Sequence, residues 1–376
     1  MLIKKKLTIS KSIVPSHKDI YPYIQDIKNE DVNSGKRPLQ EHLKKRFQKL
    51  FDTNSGTVSI LSNGTYALTN ALRASNATIG SYCLMPSWCC PSIPFAAIYA
   101  GLKPFFIDVD SESWTLEKQT TLESLMFVEG DVGAVIVPSS FGQSIDTYKW
   151  DEFTQETGIP VVIDASNSYD SILSKSESSP SLTPIVIGFN KYSSLCFGDA
   201  GIVVCKNNEL IDKINSLCYL GGKEYSEQLF IGTNGIISEY SAAACHAALD
   251  NWEATRAKWY NLNNQYIETL VETTLHHRLS LEFISDTCNI YLLGNNADST
   301  IEHLKSKGIE SRRWLGKGCH NMKEFKDLPR TNLPITKNLV SSVIGLPFYI
   351  GMQKKDIEQI LRAISTNVYG KNVTPN

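Results

Sequence analysis

The sequence has no strong excess of charge of either sign and no long hydrophobic run. Its 376 residues carry 37 Lys and Arg against 39 Asp and Glu, a formal net charge of -2. Because a nearly neutral chain has no basic field to hold a polyanion, we expect no nucleic-acid partner. No apolar run approaches the ~20 residues of a membrane helix, and no secretory hydrophobic segment follows the basic start, residues 1–6. The sequence therefore predicts a cytoplasmic protein with no membrane partner.

Metal-ligand spacings are also missing. The nine cysteines form no Cys-x-x-Cys, and none of the seven histidines completes a zinc-binding spacing. An odd number of dispersed cysteines favours reduced thiols, as found in the cytoplasm. We therefore expect no metal site, and we expect the adjacent Cys89 and Cys90 to line the core rather than react.

What the sequence does contain is an α/β pattern long enough for about two domains. Short apolar runs, such as residues 104–109 and 133–138, alternate with helical stretches, which is typical of a parallel sheet covered by helices on both faces. We expect a large α/β domain over residues 1–250 and a smaller α/β domain over residues 251–376.

Helical and strand periodicity predicts several individual elements. One long helix is expected from residue 238 to about 270, followed by a strand region at 281–293. Trp150 and Phe153 are expected to face inward from a helix over 148–157. Near the N-terminus, an amphipathic helix is predicted whose apolar face is formed by Leu39, Leu43, Phe47, Leu50 and Phe51.

Three strand ends carry residues that could take part in binding or catalysis. Ser62-Asn63-Gly64-Thr65 follows a β-rich run and precedes a helix, so its free N–H groups and hydroxyl could hold an anion. Asp164 ends the apolar run 160–163, and Lys191 follows the apolar run 185–189. Each feature alone has a structural explanation: a turn, a helix cap or a surface lysine. Together, in this order, they indicate pyridoxal 5'-phosphate (PLP), with its phosphate at the helix start, Asp164 on the pyridine nitrogen and a desolvated Lys191 as the imine-forming amine.

The sequence also resembles the DegT/StrS-type sugar aminotransferases over nearly its whole length. The matching stretches are Gly35 to Phe51, Ser62 to Leu68, Met85 to Trp88, Tyr99 to Pro104, Phe106 to Asp110, Phe141 to Gln143, Asp164-Ala165, Asn190-Lys191, Gly198 to Gly201, Gly232 to Asn234, Ile237 to Glu239, Gly308 to Arg312 and Gly345 to Pro347. The resemblance implies the type I PLP-dependent transferase fold, with a large domain built on a mostly parallel seven-stranded sheet, flanked by helices, and a smaller C-terminal α/β domain.

The resemblance also implies roles for individual residues. Asp164 and Lys191 would be catalytic, the first on the pyridinium nitrogen and the second as imine former and proton shuttle. The other cofactor-binding residues would be Gly64, Thr65 and Tyr66 at the phosphate, Asn167 near the O3' atom, Trp88 over the ring, and Asn234 reaching the phosphate from the neighbouring subunit of a homodimer. Arg312, Arg313 and His320 would line the nucleotide-sugar pocket.

Several positions depart from the family pattern. Val186 stands where the family has a phosphate-binding Ser, and Asn167 where it has Gln. Direct counting puts Cys90, rather than an aromatic residue, at the ring-stacking position, and Asn190 replaces a common Thr. These departures place the chain on a divergent branch of the family.

The implied activity is transfer of an amino group from an amino acid, by the family's habit L-glutamate, to a nucleotide-linked keto-deoxysugar, in surface-polysaccharide or related sugar biosynthesis. Two alternatives remain. A sugar dehydratase of the same family would carry His at position 191, where this chain has Lys. A non-catalytic PLP-binding or regulatory homologue is suggested by the altered phosphate and stacking positions, although it would not need a Lys at that place.

Overall fold

The computed structural model describes residues 6–28, 37–53, 57–174, 176–220, 231–273, 275–294 and 296–368. Gly35, the first residue of the resemblance, lies outside these ranges. Within them, no helix is both long enough and apolar enough to cross a membrane.

A seven-stranded sheet organises roughly the first half of the chain. Its strands are β1 Val58–Leu61, β2 Tyr82–Pro86, β3 Lys103–Ile107, β4 Val132–Pro138, β5 Val161–Asp164, β6 Ile185–Phe189 and β7 Ala200–Val204. They lie in the order β1-β7-β6-β5-β4-β2-β3. The strand β7 is antiparallel to both of its neighbours, whereas the pairs from β6 to β3 are parallel. This is the mostly parallel sheet that the resemblance implied, so the fold class is confirmed.

Helices cover both faces of this sheet. They are α1 His17–Lys28, α2 Pro38–Leu50, α3 Gly64–Ala74, α4 Ser92–Tyr99, α5 Lys118–Ser124, α6 Thr147–Thr157, α7 Tyr169–Ser174 and α8 Asn208–Cys218. Because side chains alternate along a strand, Val161 and Ile163 of β5 belong to one hydrophobic core and Val162 to another. Two-sided burial explains why the strands read as continuous apolar runs in the sequence.

The helix α6 shows how local sequence sets an element. The Asp146 carboxylate accepts a hydrogen bond from the Tyr148 N–H at 3.1 Å and so caps the helix start. Gly158 ends the helix with φ of 71°, a conformation that favours glycine. Trp150 and Phe153 are buried between these ends, as the periodicity predicted.

The C-terminal part carries a second sheet. After α9 Glu239–Asp250, its elements are α10 Trp252–Val271, β8 His276–His277, β9 Cys288–Tyr291, α11 Ala297–Ser306, α12 Pro334–Ser342, β10 Val343–Leu346 and α13 Lys354–Val368. The three strands pair antiparallel in the order β10-β9-β8. All of them follow residue 250, where we place the domain boundary, and that boundary stays a prediction.

Three element predictions were wrong in detail. The expected helix over 238–270 is two helices, separated at Asn251, whose side chain donates to the Ala247 carbonyl at 3.0 Å and so bonds to the backbone of the preceding turn. The strand region 281–293 contains only the four residues of β9. Leu50 is 41% exposed, because it lies at the last residue of α2, beyond the buried face formed by Leu39, Leu43 and Phe47.

Candidate active site

The sheet topology brings the predicted site residues to one edge. The turns after β2, β4, β5 and β6 all leave the sheet at the C-terminal ends of parallel strands. In α/β sheets this edge is where ligands bind. The start of α3, which follows β1, lies at the same edge because Gly64 packs against Gly188 of β6.

The start of α3 forms a cradle that only glycine permits. A Cβ atom on Gly64 would lie 2.7 Å from the Gly188 Cα, and one on Gly188 would lie 2.8 Å from the Ser166 Oγ. The Asn63 side chain caps the helix by accepting from the Tyr66 N–H at 2.8 Å. The Tyr66 N–H, which was expected to bind the phosphate, is therefore already hydrogen-bonded within the chain. The N–H groups of Gly64 and Thr65 make no hydrogen bond within the described residues, which leaves them to bind an anion.

Asp164 places a half-buried carboxyl group at the end of β5. Burial raises the pKa of the Asp164 carboxyl, and hydrogen bonds from Ser166 oppose this rise. The Ser166 N–H donates to Asp164 Oδ1 at 3.1 Å, and its hydroxyl donates to the same oxygen. Such a carboxylate can stabilise a protonated ring nitrogen, since an adjacent cation compensates for its desolvation.

Sequence reasoning missed Ser166. Its hydroxyl bonds to Asp164 and also accepts a hydrogen bond from the Gly188 N–H at 3.0 Å, so it links the ends of β5 and β6. The available signal was a serine two residues after a strand-end aspartate, a spacing that favours local side-chain-to-backbone bonding.

Lys191 follows β6, the strand next to β5, with only Asn190 between them. Its side chain is exposed in the single chain, so the expectation of a desolvated ammonium is wrong for this conformation. The ammonium nitrogen lies 5.0 Å from the centroid of the Tyr192 ring, and the Lys191 carbonyl accepts from the Ser12 hydroxyl at 2.9 Å. The sequence predicted that Lys191 would follow the strand next to the one that ends at Asp164. It did not predict the contact of the Lys191 ammonium with Tyr192.

Tyr192 joins Lys191 to a residue from the C-terminal part of the chain. Hydrogen bonding with Lys191, and then with Arg312, lowers the pKa of the Tyr192 phenol. The Arg312 guanidinium carbon lies 5.0 Å from the Tyr192 ring centroid and 3.5 Å from that of Trp314. Arg312 therefore reaches the neighbourhood of Lys191. Tyr192 was not singled out from the sequence, although an aromatic residue directly after a candidate lysine was a usable signal.

The other two residues expected in the sugar pocket have structural partners. Arg313 donates from Nε to the Val340 carbonyl at 2.7 Å and forms an ion pair with Asp298. His320 is buried, and its Nδ1 lies 2.6 Å from the Ser87 Oγ in the turn after β2. Burial lowers the pKa of the His320 imidazole. The three predicted residues are thus not brought together.

The turn after β2 places cysteine thiols near Asp164. Trp88 is 3% exposed and packs against Trp114 and Phe141, with ring centroids 5.7 and 5.5 Å away. Burial raises the pKa of the Cys90 thiol, and the charge of Asp164 contributes to that rise. Cys89 is buried as expected, whereas the Cys90 residue is exposed. Which group of this turn covers a ring bound at Asp164, Trp88 or Cys90, stays a prediction.

The remaining two cofactor candidates are exposed. Asn167 lies in the turn after β5. Asn234 pairs with Tyr219, and its neighbours contact the β1–α3 turn of the same chain: Gly235 accepts from the Ser62 N–H at 2.8 Å, and the Thr233 hydroxyl bonds to the Tyr66 hydroxyl. A contact from Asn234 to a second subunit stays a prediction.

Comparisons with known proteins agree with this architecture. The family model described as the DegT/DnrJ/EryC1/StrS aminotransferase family matches residues 17–365. The chain is 20% identical over 376 residues to the dTDP-4-amino-4,6-dideoxy-D-glucose transaminase of Shigella dysenteriae, covering 96% of this chain and 99% of that protein. It is 24% identical over 329 residues to the UDP-N-acetyl-3-dehydro-alpha-D-glucosamine 3-aminotransferase of Acidithiobacillus ferrooxidans, covering 82% and 84%.

A solved structure shows the same fold. The crystal structure of DesI in the presence of its TDP-sugar product superimposes with a TM-score of 0.83 at 20% sequence identity, covering 98% of this chain and 95% of that one. At this identity the likeness concerns the fold alone.

Proposed function

Since this chain belongs to the DegT/DnrJ/EryC1/StrS aminotransferase family, we propose that it is a PLP-dependent sugar aminotransferase that transfers an amino group from an amino acid to a nucleotide-linked keto sugar. The observation that carries the proposal is the meeting of three groups at one sheet edge. These are the free N–H groups at the start of α3, the half-buried Asp164 and, on the adjacent strand end, Lys191.

The residues of this site are suited to bind both the phosphate and the pyridine nitrogen of PLP. The close packing of Gly64 on Gly188 fixes the start of α3 against β6, and two N–H groups at that helix start have no other partner among the described residues, so they can bind a phosphate. At the other end, the desolvated Asp164 carboxylate fits a protonated pyridine nitrogen. PLP, when bound, supplies an electron sink for charge that develops at the amino acid's α-carbon.

The chain's own residues would divide the remaining work. Asp164 keeps the ring nitrogen protonated, and Ser166 orients that carboxylate through two hydrogen bonds. The Lys191 amine carries a proton to and from the substrate carbon, a role in which a positioned group contributes typically ~10²–10⁴-fold. Arg312, held against Tyr192 and Trp314, offers a guanidinium to the sugar diphosphate.

The finer assignments rest on the family and on the relatives' activities. L-Glutamate is the proposed donor, and a dTDP- or UDP-linked keto-deoxysugar is the proposed acceptor. The relative from Shigella dysenteriae is a transaminase of a dTDP-linked amino-dideoxysugar, and that from Acidithiobacillus ferrooxidans is an aminotransferase of a UDP-linked 3-dehydro sugar. We place the enzyme in the cytoplasm as a homodimer, with Asn234 completing the neighbouring phosphate site. Its product would serve surface-polysaccharide or related aminosugar biosynthesis.

Half-reaction spectroscopy tests the proposal. The PLP-loaded protein is mixed with L-glutamate, the visible band of the lysine-bound cofactor is followed, and 2-oxoglutarate is quantified. We expect the band to disappear with one equivalent of 2-oxoglutarate formed, and a panel of nucleotide keto sugars should then restore it and yield an amino sugar. A band that glutamate and other amino acids leave untouched would instead indicate a binding homologue.

A further inference from the structure

The segment that follows Lys191 is held by two side chains from the C-terminal part of the chain. The Ser194 N–H donates to Asp286 Oδ1 at 2.8 Å, and the Ser194 carbonyl accepts from the Trp259 indole N–H at 3.1 Å. Trp259 belongs to α10 and stacks on Phe348 at 5.6 Å between ring centroids. Both main-chain polar groups of Ser194, three residues after Lys191, are therefore fixed by sequence-distant elements.

Burial of the Asp286 carboxylate lowers the stability of the folded protein. Asp286 is 8% exposed, and within the described residues it belongs to no ion pair. The nearby Asp170 is also buried. It forms an ion pair with Arg256, whose Nη2 lies 3.2 Å from Asp170 Oδ2. Because a buried carboxylate without a cation lowers stability, its presence beside a site segment calls for a role in the site.

The charge state of Asp286 is sensitive to its surroundings. Burial raises the pKa of Asp286 to about 7, hydrogen bonds from Ser194 oppose the rise, and the charge of Asp170 adds to it. Among the described residues, Cys196 is a further titratable group affected by Asp286: burial raises the pKa of its thiol, and the charge of Asp286 raises it further. A carboxylate accepts a hydrogen bond more strongly than a carboxylic acid, so the bond to Ser194 weakens as Asp286 gains a proton.

We propose that Asp286 is a positioning residue, which holds segment 190–197 in the conformation that presents Lys191 to the cofactor and loosens that segment on protonation. The proposal rests on the proposed function of Lys191. Asp286 acts through the Ser194 backbone and touches neither cofactor nor substrate in this account.

The test uses the full-length protein loaded with PLP and two substitutions. Asp286→Ala removes the acceptor, and we expect kcat to fall about tenfold, since small misplacements of catalytic groups have effects of this size or larger. Asp286→Asn keeps an acceptor oxygen but cannot titrate, so we expect it to restore most of kcat. We expect the visible band of the wild type to show a step near pH 7 in a titration from about pH 5.5 to 8.5, and Asp286→Asn should remove that step.

Ser285→Ala serves as the matched control. Ser285 lies in the same turn, and its hydroxyl donates to the Thr287 carbonyl, not to segment 190–197. We expect its kcat and its pH profile to match the wild type. Wild-type kcat and band profile in Asp286→Ala would overturn the proposal. If that variant does not fold, a pH step that persists in Asp286→Asn would overturn it as well.

Failure of this inference can be told apart from failure of the proposed function. Borohydride reduction followed by mass spectrometry reports whether Lys191 binds the cofactor covalently in the wild type. No adduct on Lys191 would reject the proposed function, and the positioning role would fall with it. An adduct that forms equally well across the pH range in the wild type and both Asp286 variants would reject the positioning role alone.

Discussion

Ser166 donates two hydrogen bonds, one from its N–H and one from its hydroxyl, to the same carboxylate oxygen of Asp164. The hydroxyl also accepts from the Gly188 N–H, so the carboxylate is fixed relative to β6 and to the start of α3 that packs on it. This arrangement connects the proposed anchor of the pyridine nitrogen to the proposed anchor of the phosphate.

Ser166→Ala should weaken PLP binding. Its hydroxyl helps lower the Asp164 pKa, so its removal leaves a carboxyl that ionises less readily and is less well oriented. Hydrogen bonds to charged groups contribute about 1.5–3 kcal/mol, which predicts a roughly 10- to 100-fold rise in Kd. Equilibrium titration of apoprotein with PLP measures this. Ser171→Ala, which removes another buried hydroxyl bonded only to backbone carbonyls, should leave the Kd unchanged.

Asp164→Asn should have opposite effects on the apoprotein and on cofactor binding. Since burial raises the folded-state pKa of Asp164 above its unfolded value, its favourable contribution is present at low pH and is lost as pH rises through the folded-state pKa. The Asn variant of the apoprotein should therefore be more stable than wild type at pH 8 and similar to it near pH 4, by urea unfolding. Its affinity for PLP should fall, because the charge opposite the ring nitrogen is gone. Equal stability of the two proteins at pH 8 would show that Asp164 is not desolvated.

Arg312 and Arg313 form a matched pair for testing substrate binding. The Arg312 guanidinium stacks on Tyr192 and Trp314 near Lys191, whereas Arg313 is held by Asp298 and the Val340 carbonyl. We expect Arg312→Ala to raise the KM for the nucleotide sugar at least tenfold, as loss of a charge-assisted contact implies, and Arg313→Ala to leave that KM nearly unchanged. Steady-state kinetics with a fixed amino donor measure both. The reverse order of effects would exclude Arg312 from the sugar site.

The sheet and the strand-end positions could be predicted from the sequence. Strands buried on both faces leave continuous apolar runs, and residues such as Asp164 and Lys191 then mark where each run stops. Because parallel strands end at the same edge of a sheet, the closeness of Asp164 and Lys191 could be predicted from the topology alone.

The contacts within the site could not be predicted in this way. The exposure of Lys191 depends on the turn that Asn190 and Ser193 make, in which the Asn190 N–H donates to the Ser193 hydroxyl at 3.1 Å. The partner of His320 comes from the turn after β2, 233 residues away, and the partners of Arg313 come from α11 and α12, on either side of it in sequence. Such pairings depend on how distant elements pack, which a local pattern does not encode.

The central claim is that Lys191 is the amine that binds the cofactor, and direct identification of the modified residue tests it. The PLP-loaded protein is reduced with borohydride, digested with a protease and analysed by mass spectrometry, with Lys206→Ala as a control that removes a different lysine near the sheet and should leave the adduct in place. The account predicts a phosphopyridoxyl group on the peptide that contains Lys191, and its loss in Lys191→Ala. An adduct on another lysine, or no adduct in protein that has bound PLP, would contradict the account.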